Sequence, residues 1–103
     1  MKQEPRISRE EADALVEKKT APRVTKEFID SKIKDIAYFR VGDATMICAI
    51  EMHNRFVFVG QSGAADTRNF DEEVCRCYAY DDAYKKIWSH EGYVLRTRMY
   101  EGW

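Results

Sequence analysis

Apolar positions change their period along the chain, and each change marks an element. Residues 1–23 are mostly polar. Ser8 stands three residues before Glu11, the spacing of a capping box, so a short helix is predicted from Arg9 to about Lys18. Ala21-Pro22 ends it, because a residue before proline is disfavoured in helix. Its apolar content is low, so it needs a partner or frays. Thr25 opens a second short helix to about Lys32, with Phe28, Ile29 and Ile33 on its apolar face. The period then becomes two: Ile36, Tyr38 and Arg40 alternate with Ala37, Phe39 and Val41. Gly42-Asp43 turns into a second strand, Thr45–Met52, and His53-Asn54-Arg55 turns into a third, Phe56–Val59. These two strands are apolar almost throughout, which implies burial on both faces or one face in a subunit contact. Short turns between consecutive strands imply an antiparallel meander.

Residues 60–68 read as the longest loop. Asn69 and Glu72 repeat the capping-box spacing, so a long helix is predicted from Phe70 to Trp88. Half of its wheel carries Phe70, Val74, Cys77, Tyr80, Ala83, Tyr84, Ile87 and Trp88, interrupted by Glu73, Arg76 and Asp81. A plain core helix excludes such charges, so they should meet opposite charges across a dimer seam or a polar ligand. Ser89–Gly92 breaks this helix, and Tyr93–Tyr100 follows as a final helix or extended arm. The expected fold class is α+β: an antiparallel sheet of three or more strands, then a long helix and a C-terminal helix, with short N-terminal helical segments. Residues 1–23 form an extension, partly helical or flexible, and residues 24–103 a single domain.

Composition narrows the function. The chain has 103 residues, with 17 Lys+Arg against 18 Asp+Glu and a formal charge of -1. Duplex binding driven by many phosphate contacts needs more positive charge, so no duplex nucleic acid is expected as partner. No apolar run is long enough to span a membrane. The start lacks a signal-peptide core, and Cys48, Cys75 and Cys77 are an odd set with two members only two residues apart. A reducing cytoplasm fits this usage. With His53 and His90 as the only histidines and no Cys-x-x-Cys pair, neither a metal nor a cofactor is expected.

No catalytic constellation emerges either. Cys48 and His53 are five apart on a strand and point to opposite faces. Gly60-Gln61-Ser62-Gly63 lacks the second glycine of a nucleophile elbow, since position 64 is Ala. Asp81 and Asp82 project about 100° apart on a helix and suit solvated or salt-bridged charges. The loop before Asn69 is poorly placed for an anion, because Asp71, Glu72 and Glu73 fill the first helical turn. Arginines recur beside aromatics, as in Tyr38-Phe39-Arg40, Arg68-Asn69-Phe70 and Arg96-Thr97-Arg98-Met99-Tyr100. Aromatics stack on bases and guanidinium groups clamp phosphates, so this mixture suits a nucleotide-sized ligand. Core and interface aromatics with surface arginines are the alternative.

Several stretches together resemble a family of small phage proteins, named after gene 49 of phage N-four. They are Val24–Ile29, Asn54-Arg55-Phe56, Gly60-Gln61-Ser62, Asn69–Val74, Lys86-Ile87-Trp88 and Glu91–Leu95. Some members look like the Thoeris anti-defence sponges. The resemblance implies a non-enzymatic phage protein in the cytoplasm of the infected host. It implies sequestration, without cleavage, of a cyclic ADP-ribose isomer or other cyclic nucleotide. It also implies α+β subunits assembled as a homodimer or a trimer of dimers. The chain departs from the family's usual Gly at Arg55, usual Gly at Cys75 and usual Asn at Asp82. For such a ligand the expected contacts are Phe70 stacked on adenine and Arg96 and Arg98 on the pyrophosphate. Tyr80 and Asp82 would meet base or ribose, and Asn69 would hold the loop. The alternative is an accessory phage protein that binds and inhibits a host protein.

Overall fold

The computed structural model describes residues 3–102; the outermost residues of the two predicted segments, 1–2 and 103, lie outside it. Two short helices, α1 (Arg9–Glu17) and α2 (Lys26–Lys32), precede strands β1 (Ile33–Val41), β2 (Thr45–Met52) and β3 (Val57–Gly63). A 3-10 turn (Thr67–Asn69) leads into a single helix, α3 (Glu72–Tyr100). The strands form an antiparallel meander in the order β1-β2-β3. The architecture is α+β, as the periodicity predicts.

Local chemistry explains the element ends. Ser8 and Glu11 form the full capping box of α1. The Thr25 hydroxyl accepts from the Phe28 N–H to open α2. The start of α3 differs from the expected one. Asp66 caps the 3-10 turn, whose last backbone N–H, that of Asn69, bonds back to the Asp66 carbonyl. The N-cap of α3 therefore passes to Asp71, which accepts from the Val74 N–H at 3.1 Å. Asp and Asn cap almost equally well, so composition alone does not separate the two positions.

The predicted break at Ser89–Gly92 is absent: α3 runs unbroken for 29 residues, and among the described residues no separate C-terminal helix follows it. One interior glycine costs a helix only about 1 kcal/mol. The Lys32–Glu91 ion pair, at 3.5 Å, ties this stretch to the end of α2. β1 starts at Ile33 rather than Ile36, and β3 extends to Gly63, into the segment expected to be loop.

Register sorts the sheet into two faces. Ile36, Tyr38 and Arg40 share a face with Ile50, Cys48 and Met46, and on β3 with Phe58, Gly60 and Ser62. This face meets α3, and the core lies between them. It comprises Met46, Cys48, Ile50, Met52 and Phe58 from the sheet, Ile29 from α2, and Cys75, Ala79, Ala83 and Ile87 from α3. The buried stripe of α3 is thus a row of mostly small residues at spacing four, not the aromatic half-wheel expected. Gly60 gives the reason. A Cβ on it would overlap the Ala79 carbonyl and the Ala83 backbone, so helix and strand touch through backbone there. Large side chains are displaced to the flanks, and Val74 and Cys77 stay exposed.

The opposite sheet face is uncovered. Phe39 and Val41 are more than half exposed, and Val57 and Val59 nearly so. Strands two and three are therefore buried on one face within this chain. The radius of gyration is 16.8 Å, against about 13 Å for a closed chain of this length.

Candidate functional site

Spacing of four along α3 gives its two flanks different chemistry. Toward β1 and α2 runs the row Arg76, Tyr80, Tyr84 and Trp88; toward β3 runs Asp82, Lys86 and His90. Side chains four apart lie one above another on a helix, so each row is a continuous surface.

The β1-side row starts with an arginine–aromatic cluster. The Arg76 guanidinium lies 5.0 Å from the Tyr38 ring centroid, and Arg40 of β1 lies 4.1 Å over the ring of Phe70. Among the described residues, Arg76 Nε is buried without a hydrogen-bond partner. Burial pushes the Tyr38, Tyr80 and Cys48 groups above their ordinary pKa values, which keeps all three neutral. The two guanidinium groups are thus cationic over uncharged aromatic rings.

Further along, Tyr80 and Tyr84 rings lie 5.4 Å apart, and Trp88 meets Tyr84 edge-on at 6.5 Å. The Tyr84 hydroxyl donates to Asp30 at 2.7 Å, and Lys26 donates to the same carboxylate at 2.6 Å. Beyond Tyr84 and Trp88 opens a groove of about 800 Å³ against α1. Arg9, Arg23, Lys26 and Lys85 line it, balanced by Asp13, Glu17, Glu27 and Asp81.

The residues expected to bind ligand are only partly brought together. Phe70 and Tyr80 both pack against the core from the β1 side. Asn69 is exposed in the 3-10 turn. Asp82 lies on the other flank, where it accepts from the Gln61 N–H at 2.9 Å. Lys86 beside it donates to the Val59 carbonyl at 2.6 Å. These two side chains satisfy one N–H and one carbonyl on the outer edge of strand β3, groups that otherwise would invite pairing with another strand. Asp82 is thereby occupied in holding the sheet edge. Arg96 and Arg98 are exposed at the far end of α3. Arg96 stands 20 positions beyond Arg76, or about 30 Å along the helix, so within one chain neither meets Phe70. The guanidinium groups that do share its end are Arg40 and Arg76. Their signal was present in the sequence as Tyr38-Phe39-Arg40 and as a charge interrupting an apolar stripe, but only the β1–α3 contact identifies the pair.

Among the described residues, no three His, Cys, Asp or Glu side chains gather as a metal site, and no helix is long and apolar enough to cross a membrane. No curated protein and no solved structure matches the chain. A family model does match, over residues 24–99, from just before α2 almost to the end of α3. The chain therefore belongs to the Phage protein (N4 Gp49/phage Sf6 gene 66) family.

Proposed function

We propose that this phage protein binds a cyclic nucleotide signal of the cyclic ADP-ribose type and holds it without cleaving it, in the cytoplasm of the infected host. The observation that carries the reading is the Arg40–Arg76 pair over Phe70 and Tyr38, with a buried Arg76 Nε that lacks a partner. A buried unsatisfied donor is costly, and a phosphate oxygen is a strong acceptor for it. Phe70, Tyr80, Tyr84 and Trp88 continue from that cluster as surfaces for a base. The groove at their end is within the roughly 300–1,000 Å³ range of ligand sites, and its balanced charge suits a ligand with hydroxyls and amines as well as phosphates.

Calorimetry with purified cyclic ADP-ribose isomers tests this. Tight binding, recovery of intact ligand from the heated complex, and at least a tenfold loss in Arg76→Ala are expected; a tenfold loss corresponds to about 1.4 kcal/mol. Absence of binding, or a hydrolysed ligand, would end the sponge reading. Assembly as a homodimer or trimer of dimers is part of the proposal, because Arg96 and Arg98 reach a Phe70 only on another copy.

The uncovered sheet face, with Phe39, Val41, Val57 and Val59 exposed, favours a second reading. In it, an accessory phage protein docks on and inhibits a host protein. Stoichiometric recovery of one host enzyme, lost in Val59→Lys, would support that reading over the first.

A further inference from the structure

Both histidines of the chain converge on one cleft, far from the arginine–aromatic cluster. It lies between the β2–β3 turn and the middle of α3 and encloses about 260 Å³. Met52, Phe56 and Phe58 form its apolar wall, and His53, Asn54 and Glu91 bring polar groups to it. The His90 ring stacks on Phe56 at 6.0 Å with 17° between planes and meets Phe58 edge-on at 5.6 Å. Phe56 nevertheless stays 55% exposed, an apolar ring held open at the mouth. The Glu91 side chain is only 13% exposed, and Lys32 lies 3.5 Å from it. Lys32 is itself braced over the Phe28 ring at 4.4 Å. One ammonium neutralises the carboxylate but fills only part of its acceptor capacity.

We propose that this cleft binds a single planar heteroaromatic ring system, of one ring or two fused rings, bearing an exocyclic amine, of nucleobase type. Size sets the first limit: the volume falls just below the roughly 300–1,000 Å³ of sites for larger ligands, so one ring system fits and a dinucleotide does not. Polarity sets the second. The neutralised Glu91 accepts from an amine, while an imidazole and the Asn54 amide can each donate or accept at the ring edge. The aromatic wall supplies stacking, which is indifferent to base identity. An anionic group is disfavoured beside Glu91. The site lies on the β3 flank of α3 and does not depend on the sequestration reading.

The test is a titration of the full chain with adenosine, cytidine and uridine, followed by amide chemical shifts. Adenosine and cytidine should shift Met52–Phe58 and His90–Glu91, with uridine, which lacks the amine, at least tenfold weaker. His90→Ala should weaken all binding tenfold or more. Glu91→Gln should instead narrow the difference between cytidine and uridine. Shifts that map elsewhere, or uridine equal to cytidine in the wild-type chain, overturn the proposal whatever the variants do. Because the probes are free nucleosides, the outcome is read independently of calorimetry with cyclic ADP-ribose isomers.

Discussion

Arg55 closes the β2–β3 turn at φ 76°, the one non-glycine residue with positive φ among those described. The turn bond runs from the Arg55 N–H to the Met52 carbonyl at 2.9 Å, and the Met52 N–H donates to Phe56. The third residue of such a three-residue hairpin loop is left-handed, and glycine is favoured there. Glycine is therefore the residue that fits this position without strain. Arg55→Gly should therefore raise stability, by about 1 kcal/mol. The ion pair it removes, to Glu51 at 3.9 Å, is exposed and contributes little. Denaturant melts check this, and a loss of stability would contradict it. Gly60 is the converse case, where the constraint is space rather than φ. Gly60→Ala drives a methyl into the α3 backbone at Ala79 and Ala83. Overpacking of this kind costs about 1–3 kcal/mol, and the midpoint of a denaturant melt should fall accordingly. Neither constraint shows in the sequence itself, where Arg55 sits in an ordinary polar turn and Gly60 follows ordinary strand residues.

At the scale of elements, one polar tie between α2 and α3 is Asp30, which accepts from Lys26 on its own helix and from Tyr84 across the contact. Lys26 first, and Tyr84 second, hold the Asp30 carboxyl below its ordinary value of 3.8. A depressed carboxyl contributes stability that is present above its unfolded value and is lost as pH falls through the folded one. Tyr84 is shifted the other way, upward by burial first and by Asp30 next, so its hydroxyl stays protonated beyond its ordinary value of 10.0. The tie is thus fully present above the ordinary carboxyl value of 3.8 and persists beyond the ordinary tyrosine value of 10.0. Asp30→Asn should cost about 1 kcal/mol at pH 7, and the difference from wild type should shrink as the pH falls below the ordinary carboxyl value of 3.8. Thermal melts across that range measure it; a constant difference down to acid pH would reject the assignment. The element pattern was largely readable from period and caps. The missed features, the unbroken α3 and the shift of its cap to Asp71, depend on competition. A neighbouring turn consumed Asn69, and the Lys32–Glu91 contact favoured continuing the helix.

The whole molecule is open. Its core is one layer of side chains between a three-stranded sheet and one helix, while the outer sheet face keeps Phe39, Val41, Val57 and Val59 exposed. Single exposed apolar residues are unremarkable, but a contiguous face of this kind marks an interaction surface. Asp82 and Lys86 occupy the middle of β3's edge, which favours face-to-face contact over edge pairing there. If that face joins two copies, Val59→Lys should shift the mass in light scattering to that of a monomer at micromolar concentration. The helical content should be unchanged. Wild-type chain that is already monomeric would remove the shared site along with the interface.

The sequence by itself determined the α+β class, the meander, the two short helices and the family, because period, turn residues and caps act over a few neighbours. It also marked arginines beside aromatics as the chemistry of interest. Only the tertiary structure decided where those arginines stand. α3 is unbroken over 29 residues and about 43 Å long, so Arg96 and Arg98 are carried away from Phe70, while Arg40 lies over the Phe70 ring and Arg76 over the Tyr38 ring. The backbone contact at Gly60 likewise selected small residues for the buried stripe and turned the aromatics to a flank. Long-range distances of this kind are set by packing, and no local spacing in the chain encodes them.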